Sequence, residues 1–253
     1  VRAASRYVST RRVQSARAGL AVISLRKPSS INNDCLVDLS RIWDDLSRDP
    51  SVGAIVLSGR LGFFCGGLDK QSPILSTVHN YLRDSVVAEI DMTLRHWYEI
   101  EEAARRKLCV AAVNGKALGA GFELALVCDV AIAGTGAEFA FPEGKLHSII
   151  PGFGGIRRLK ERVPPNICLE LVLTGRSLSA NEALSMGVVN ELLDTNDNDR
   201  IVDRALELAS NMCSSATSAV KSMINSLNSP QSVDSRDLER KLFTQSVLSS
   251  KQH

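Results

Sequence analysis

A chain of 253 residues, 44% hydrophobic and 23% charged, can bury a sizeable core as one large domain or two small ones without disulfides or a structural metal. No apolar run approaches the roughly 18 residues of a spanning helix; the longest candidate, residues 119–132, is broken by Glu123 and Asp129. Lys and Arg number 30 against 28 Asp and Glu, a net charge of +2, too small to argue for nucleic acid as a partner.

The charge is unevenly placed. Residues 1–33 hold Arg2, Arg6, Arg11, Arg12, Arg17, Arg26 and Lys27 and no acid, which leaves the remainder at −5. Such a start reads as a basic first strand pair or as the remnant of a mitochondrial targeting segment. A first residue of Val1 rather than Met adds the expectation that something upstream is missing or was removed. The six cysteines form no CxxC and sit mostly in apolar company, which predicts reduced, buried thiols in an intracellular compartment. The four histidines show no ligand spacing, so no metal site is expected.

In chain order, Val8–Val13 and Leu20–Leu25 read as a β-hairpin. Asn33-Asp34 can cap a helix through Leu46, with Leu36, Leu39, Ile42, Trp43 and Leu46 at helical spacing. Ala54–Leu57 is a buried strand closed by Gly59, and residues 61–72 are a Gly-containing loop. Val78–Arg105 is a long helical stretch, Leu108–Val113 another buried strand, and Gly115 to Gly121 a glycine-rich turn. Phe122–Cys128 reads as a helix, followed by strands Val130–Ala133 and Glu138–Phe141.

After Pro151 helices dominate: Ile156–Val163, Ile167–Leu173, Ala180–Met186, Arg200–Ser210, Ala216–Ser226 and Leu238–Val247. Ser179 and Glu182 form a capping box, and Gly187 suits the C′ position of the same helix. Residues 194–199 are a polar loop, and no exact repeat is visible. The alternation predicts an α/β fold with a helical C-terminal region.

Chemistry concentrates in four segments. In Asn114–Leu124 a buried strand runs into small residues that open a helix. Small residues admit a ligand to the backbone, and the first-turn N–H groups form a natural anion or oxyanion site. Glu123 follows Ala120 by three residues, about 4.5 Å along the axis on the same face. It reads as a dipole-stabilising carboxylate or, among Phe122, Leu124, Ala125 and Leu126, as a poorly solvated one. The second segment, Phe63–Asp69, carries Gly66-Gly67 after a strand, either presenting a backbone N–H into a cleft or forming a plain turn. The third, Phe139–Glu143, has a Pro-Glu pair that ordinarily starts a helix. The fourth, Pro151–Gly155, reads as structural packing at a helix start. A dinucleotide-binding reading fails, because the third glycine of GxGxxG falls on Leu124.

Taken together in this order, the four segments resemble the crotonase family, the enoyl-CoA hydratases and isomerases, over roughly residues 8–190. Lys27-Pro28 through Ile31-Asn32, Asp49–Val52 leading to Ile55–Gly59, Thr174–Arg176 through Glu182-Ala183, and Gly187–Val189 are similar to further family signatures. The resemblance implies a crotonase-type spiral of ββα units over 1–190, with 191–253 a helical C-terminal region of the same domain. It implies Glu123 and Glu143 as paired catalytic carboxylates and the N–H groups of Gly66 and Ala120 as the oxyanion hole. The CoA moiety would meet Gly66, Gly67, Leu68, Asp69 and Ala120, with Lys27 and Lys70 as basic contacts.

The implied activity is reversible hydration of trans-2-enoyl-CoA. The alternatives are moving a double bond between positions 3 and 2, dehydration of a branched hydroxyacyl thioester, or an inactive binding module, against which the presence of both glutamates speaks. No cofactor is implied beyond the CoA of the substrate, and the expected assembly is a homotrimer or homohexamer. The mitochondrial matrix is the favoured compartment, with a peroxisome-like organelle or the cytoplasm as alternatives. The chain departs from the family pattern in four places. Ala120 stands where glycine is usual, one residue is added near His147-Ser148, the segment between Asp69 and Leu108 is long, and the final helices match weakly.

Overall fold

Runs of β-branched and small apolar residues make the centre of the molecule, and three of these runs are each followed by a short strand in a second sheet. The computed structural model describes residues 5–26, 30–60, 62–69, 72, 74–75, 83–214, 216–228, 240–241, 243–245 and 247–248. The chain runs β1 (Val8–Gln14), β2 (Gly19–Leu25), α1 (Asn33–Arg48), β3 (Ala54–Ser58), β4 (Phe63–Cys65), α2 (Arg83–Arg106), β5 (Leu108–Val113), β6 (Lys116–Leu118) and α3 (Ala120–Val127). It continues through β7 (Val130–Gly134), β8 (Glu138–Ala140), α4 (Glu143–His147), α5 (Gly155–Lys160), α6 (Pro165–Thr174), β9 (Leu178–Ser179), α7 (Ala180–Ser185), β10 (Glu191–Leu193), α8 (Asn198–Met212) and α9 (Thr217–Asn228).

One sheet has the order β1-β2-β3-β5-β7-β10 and the other β4-β6-β8-β9. The units β3-β4-α2, β5-β6-α3 and β7-β8-α4 thus each give one strand to either sheet before a helix, a structural repeat with no exact sequence repeat behind it. From β2 to β10 the larger sheet is parallel, and its strands β2, β3, β5 and β7 are buried on both faces, which explains their unbroken apolar runs. Leu20, Val22, Ala54, Val56, Leu108, Val110 and Ala112 face α8, while the alternate residues Ala21, Ile23, Ile55, Leu57, Cys109, Ala111 and Val113 join the main core.

Several sequence expectations shift. The cap of α1 is Asn32, whose side chain accepts the Cys35 N–H at 2.9 Å, not Asn33-Asp34. The capping box at Ser179 and Glu182 is present, and Gly187 sits at C′ with φ +78°. The loop at 61–72 contains β4, the glycine-rich turn contains β6, and two strands, β9 and β10, persist beyond Pro151. Each has two or three residues, too few to display a period, so pairing defines them. The expected boundary at 190 falls just before β10, which extends the six-stranded sheet.

Within the acid-free start, β1 and β2 form the expected hairpin and Arg12 pairs with Asp49 at 2.6 Å. All six cysteines are free and buried. No helix among the described residues is long and apolar enough to cross a membrane.

Candidate active site

Parallel pairing of β4 with β6 and of β6 with β8 brings their C-terminal ends to one edge. The residues that follow, Gly66, Gly119-Ala120 and Phe141–Glu143, therefore meet there, although the sequence separates them widely. The Gly119 N–H donates to the Ala140 carbonyl at 2.9 Å. Gly67 has φ +91°, and a Cβ on it would lie 2.7 Å from Leu118 O and 3.6 Å from Ala120 N. Only a glycine there lets the two loops touch.

Ala120 is the first residue of α3, so its N–H has no intrahelical partner. Among the described residues no acceptor takes the N–H of Gly66 or of Ala120. Two donors thus stand side by side at one end of the small sheet.

Glu123 lies in the first turn of α3, 1% exposed, and its own N–H donates to Gly119 O at 3.0 Å. Its Oε1 accepts two backbone N–H groups, from Phe153 and from Gly155, each at 2.8 Å. Charge-assisted bonds of this kind are among the stronger ones and fix orientation. A Cβ on Gly155 would stand 2.7 Å from that oxygen and 2.8 Å from Phe141 Cζ. Segment 151–155, read from sequence as packing, is therefore part of the site. Its three glycines at a helix start, Gly152, Gly154 and Gly155, were the available signal.

Glu143 opens α4, so the Pro-Glu pair does start a helix, one the sequence reading did not place. The Glu143 carboxylate reaches back to the start of α3, with Oε2 3.1 Å from where Gly119 would carry a Cβ. Oε2 is enclosed and meets no hydrogen-bond partner among the described residues. Burial pushes the Glu143 carboxyl up to about 7, partly offset by its own backbone N–H. The two glutamates thus differ in kind: one is held by two donors, and the other titrates near neutrality.

The Gly66–Asp69 loop is tied down by Ile31, whose N–H donates to Gly67 O at 2.7 Å and whose carbonyl accepts the Asp69 N–H at 2.8 Å. Ser30 Oγ donates to Asp69 at 3.3 Å, so Leu68 and Asp69 are fixed beside residues 30–31. Lys27 and Lys70 lie outside the described residues. Among the described residues no group of three or more His, Cys, Asp or Glu is placed to hold a metal ion.

The family model described as enoyl-CoA hydratase/isomerase matches residues 15–253, the final helices included. A mitochondrial enoyl-CoA hydratase of Pongo abelii is 34% identical over 231 residues, covering 88% of this chain and 75% of that protein. The 2,3-dehydroadipyl-CoA hydratase of Escherichia coli K12 is 32% identical over 238 residues, covering 92% of this chain and 88% of that protein. A crystal structure of an enoyl-CoA hydratase from Bacillus anthracis superimposes with a TM-score of 0.75 at 26% identity, covering 96% and 92% of the two chains.

Proposed function

This chain belongs to the enoyl-CoA hydratase/isomerase family, and from that premise we propose that it is an enoyl-CoA hydratase. The observation that carries the reading is a pair of unlike glutamates, Glu123 buried and Glu143 half-buried with an enclosed carboxylate oxygen, beside two N–H groups that meet no acceptor among the described residues.

The thioester carbonyl accepts hydrogen bonds from Gly66 N–H and Ala120 N–H. Addition of water develops negative charge on that oxygen, and one such donor is worth about 3–4 kcal/mol in a related acyl transfer. Glu123, oriented by Phe153 and Gly155, takes a proton from water as its oxygen bonds to the β-carbon. Glu143, titrating near neutrality, gives its proton to the α-carbon. One proton enters the pair as one leaves it, so the step needs no metal or redox group. The Ala120 methyl narrows the approach to the second donor.

The finer assignments belong to the same proposal. The Gly66–Asp69 loop lies against CoA, with Lys27 and Lys70 toward its phosphates; charge reversal at each should raise KM at low salt. The chain self-associates as a trimer or a pair of trimers. Leu169 and Leu173, one turn apart on α6, and Leu146 on α4 are each at least 60% exposed, which favours a covering subunit, and light scattering reads the mass. The mitochondrial relative favours the mitochondrial matrix. The experiment for the central reading is the loss of the enoyl-thioester absorbance of crotonyl-CoA with the purified chain. No loss with an active-site-competent preparation, one that binds the thioester, removes the hydratase reading.

A further inference from the structure

The backbone that holds Glu123 is itself held from outside its own loop. Gly152-Phe153-Gly154-Gly155 is rich in the residue with the most conformational freedom, and Gly154 takes φ +83°. Such a segment does not keep two N–H groups converging on one carboxylate oxygen without an anchor. The anchor comes from α2. Trp97 and Glu101 lie one turn apart on that helix; the first meets Phe153 directly and the second reaches it through Arg158. Trp97 stacks on its ring with centroids 4.7 Å apart and planes at 24°. Glu101, 3% exposed, pairs with Arg158, and Arg157 Nη2 approaches the same oxygen at 3.7 Å. Arg158 in turn donates from Nη1 to the Phe153 carbonyl at 2.9 Å.

Phe153 is therefore fixed at three points. Its N–H goes to Glu123, its carbonyl takes Arg158, and its ring meets Trp97. We propose that Glu101 is a positioning residue for the reaction: by orienting the Arg158 fork it holds the Phe153 and Gly155 amides on Glu123 Oε1. A planar guanidinium suits this task because it bonds a carboxylate and a carbonyl in fixed relative directions, which an ammonium does not. A buried ion pair contributes little net stability against an apolar pair of the same volume. Its usefulness here is geometric. The inference rests on the hydratase reading, since it gives Glu101 a role only through Glu123.

The test compares Glu101→Gln and Arg158→Lys with the unaltered full chain in steady-state hydration of crotonyl-CoA. Misplacement of a reacting group by about 1 Å can cost on the order of 100-fold, so kcat should fall about 10- to 100-fold in each, with KM within about twofold. The decisive arm repeats Glu101→Gln in a Glu123→Gln background. There the change should alter the residual rate by less than about twofold, because residues that act as a unit are non-additive. If Glu101→Gln does not fold by circular dichroism, the double variant Glu101→Gln with Arg158→Met replaces the pair without an unpaired guanidinium and should show the same loss of kcat. An unchanged kcat in a folded variant, a loss explained by KM, or an equal loss in the Glu123→Gln background overturns the proposal. An unaltered chain that binds crotonyl-CoA without hydrating it removes the hydratase reading and this role together. An active chain unaffected by Glu101→Gln removes the role alone.

Discussion

The Glu143 carboxylate packs so closely on the backbone of Gly119 that a side chain at position 119 would crowd it. A Cβ on Gly119 would stand 3.1 Å from Glu143 Oε2, and the backbone there has φ +51° and ψ −124°. An L side chain is strained in that conformation and would also press on the unpartnered oxygen. Gly119→Ala should lower stability by about 1–3 kcal/mol and lower kcat as well. Gly62→Ala separates the two effects, since Gly62 has φ +76° with nothing within 4 Å of its would-be Cβ. That variant should show the stability cost in urea titration with kcat for crotonyl-CoA unchanged.

The raised Glu143 carboxyl makes a stability prediction with a definite sign. Its ordinary value is 4.5 and its folded value about 7, so between those limits the folded chain binds more protons than the unfolded one. Stability therefore falls as pH rises through that window. Glu143→Gln lacks the ionisation and should gain on the natural chain across the same window. The difference should be near zero below pH 4.5 and reach up to about 3 kcal/mol above pH 7. Chemical denaturation at a series of pH values reads it directly. A constant difference would mean that Glu143 is not buried as described.

The same carboxyl shapes the pH dependence of the rate. In the proposed step hydration starts with the proton on Glu143 and ends with a proton on Glu123, so the active pair would always hold one proton. Two protons or none leave it inactive. Because the overall equilibrium consumes no proton, kcat/KM for hydration and for dehydration should follow one and the same bell. Its upper limb should fall near pH 7, and both limbs belong to the pair and not to either residue. A kcat/KM that stays level from below pH 7 to well above it would contradict a shared proton.

Much of this arrangement was legible in the sequence, and the reasons for the rest are physical. The buried strands Ala54–Ser58 and Leu108–Val113 announce themselves by unbroken apolar runs. The Ser179 capping box with Gly187 marks both ends of a helix by local chemistry alone. The strands Phe63–Cys65 and Lys116–Leu118 were hidden, because three residues carry no period and their identity lies in pairing with each other. Glu123 and Glu143 could be named from motif order, yet the difference between them could not. One depends on N–H groups from Phe153 and Gly155 and the other on enclosure beside Gly119, and these are contacts across folded distance. Glu101 was legible only as one charge on a long charged helix. Its burial against Arg158 is a product of packing.

Replacing each proposed catalytic carboxylate by its amide separates the possible activities. Glu→Gln keeps size and hydrogen-bonding reach while removing proton transfer. If hydration uses both groups, Glu123→Gln and Glu143→Gln should each lower kcat by about 10²- to 10⁴-fold, the span of general acid–base catalysis. Thioester affinity should change little in either, because in the proposed reading the carbonyl is bound by the backbone of Gly66 and Ala120. An isomerase moves one proton between two carbons and needs one carboxylate to carry it. In that case Glu143→Gln should abolish double-bond migration in a 3-enoyl-CoA while Glu123→Gln stays nearly silent. A binding module would be indifferent to both changes and would bind crotonyl-CoA without turnover. The two glutamates should also be strongly non-additive, with the double variant hardly slower than the worse single one. Full hydratase activity in Glu143→Gln would exclude the division of labour drawn from its burial.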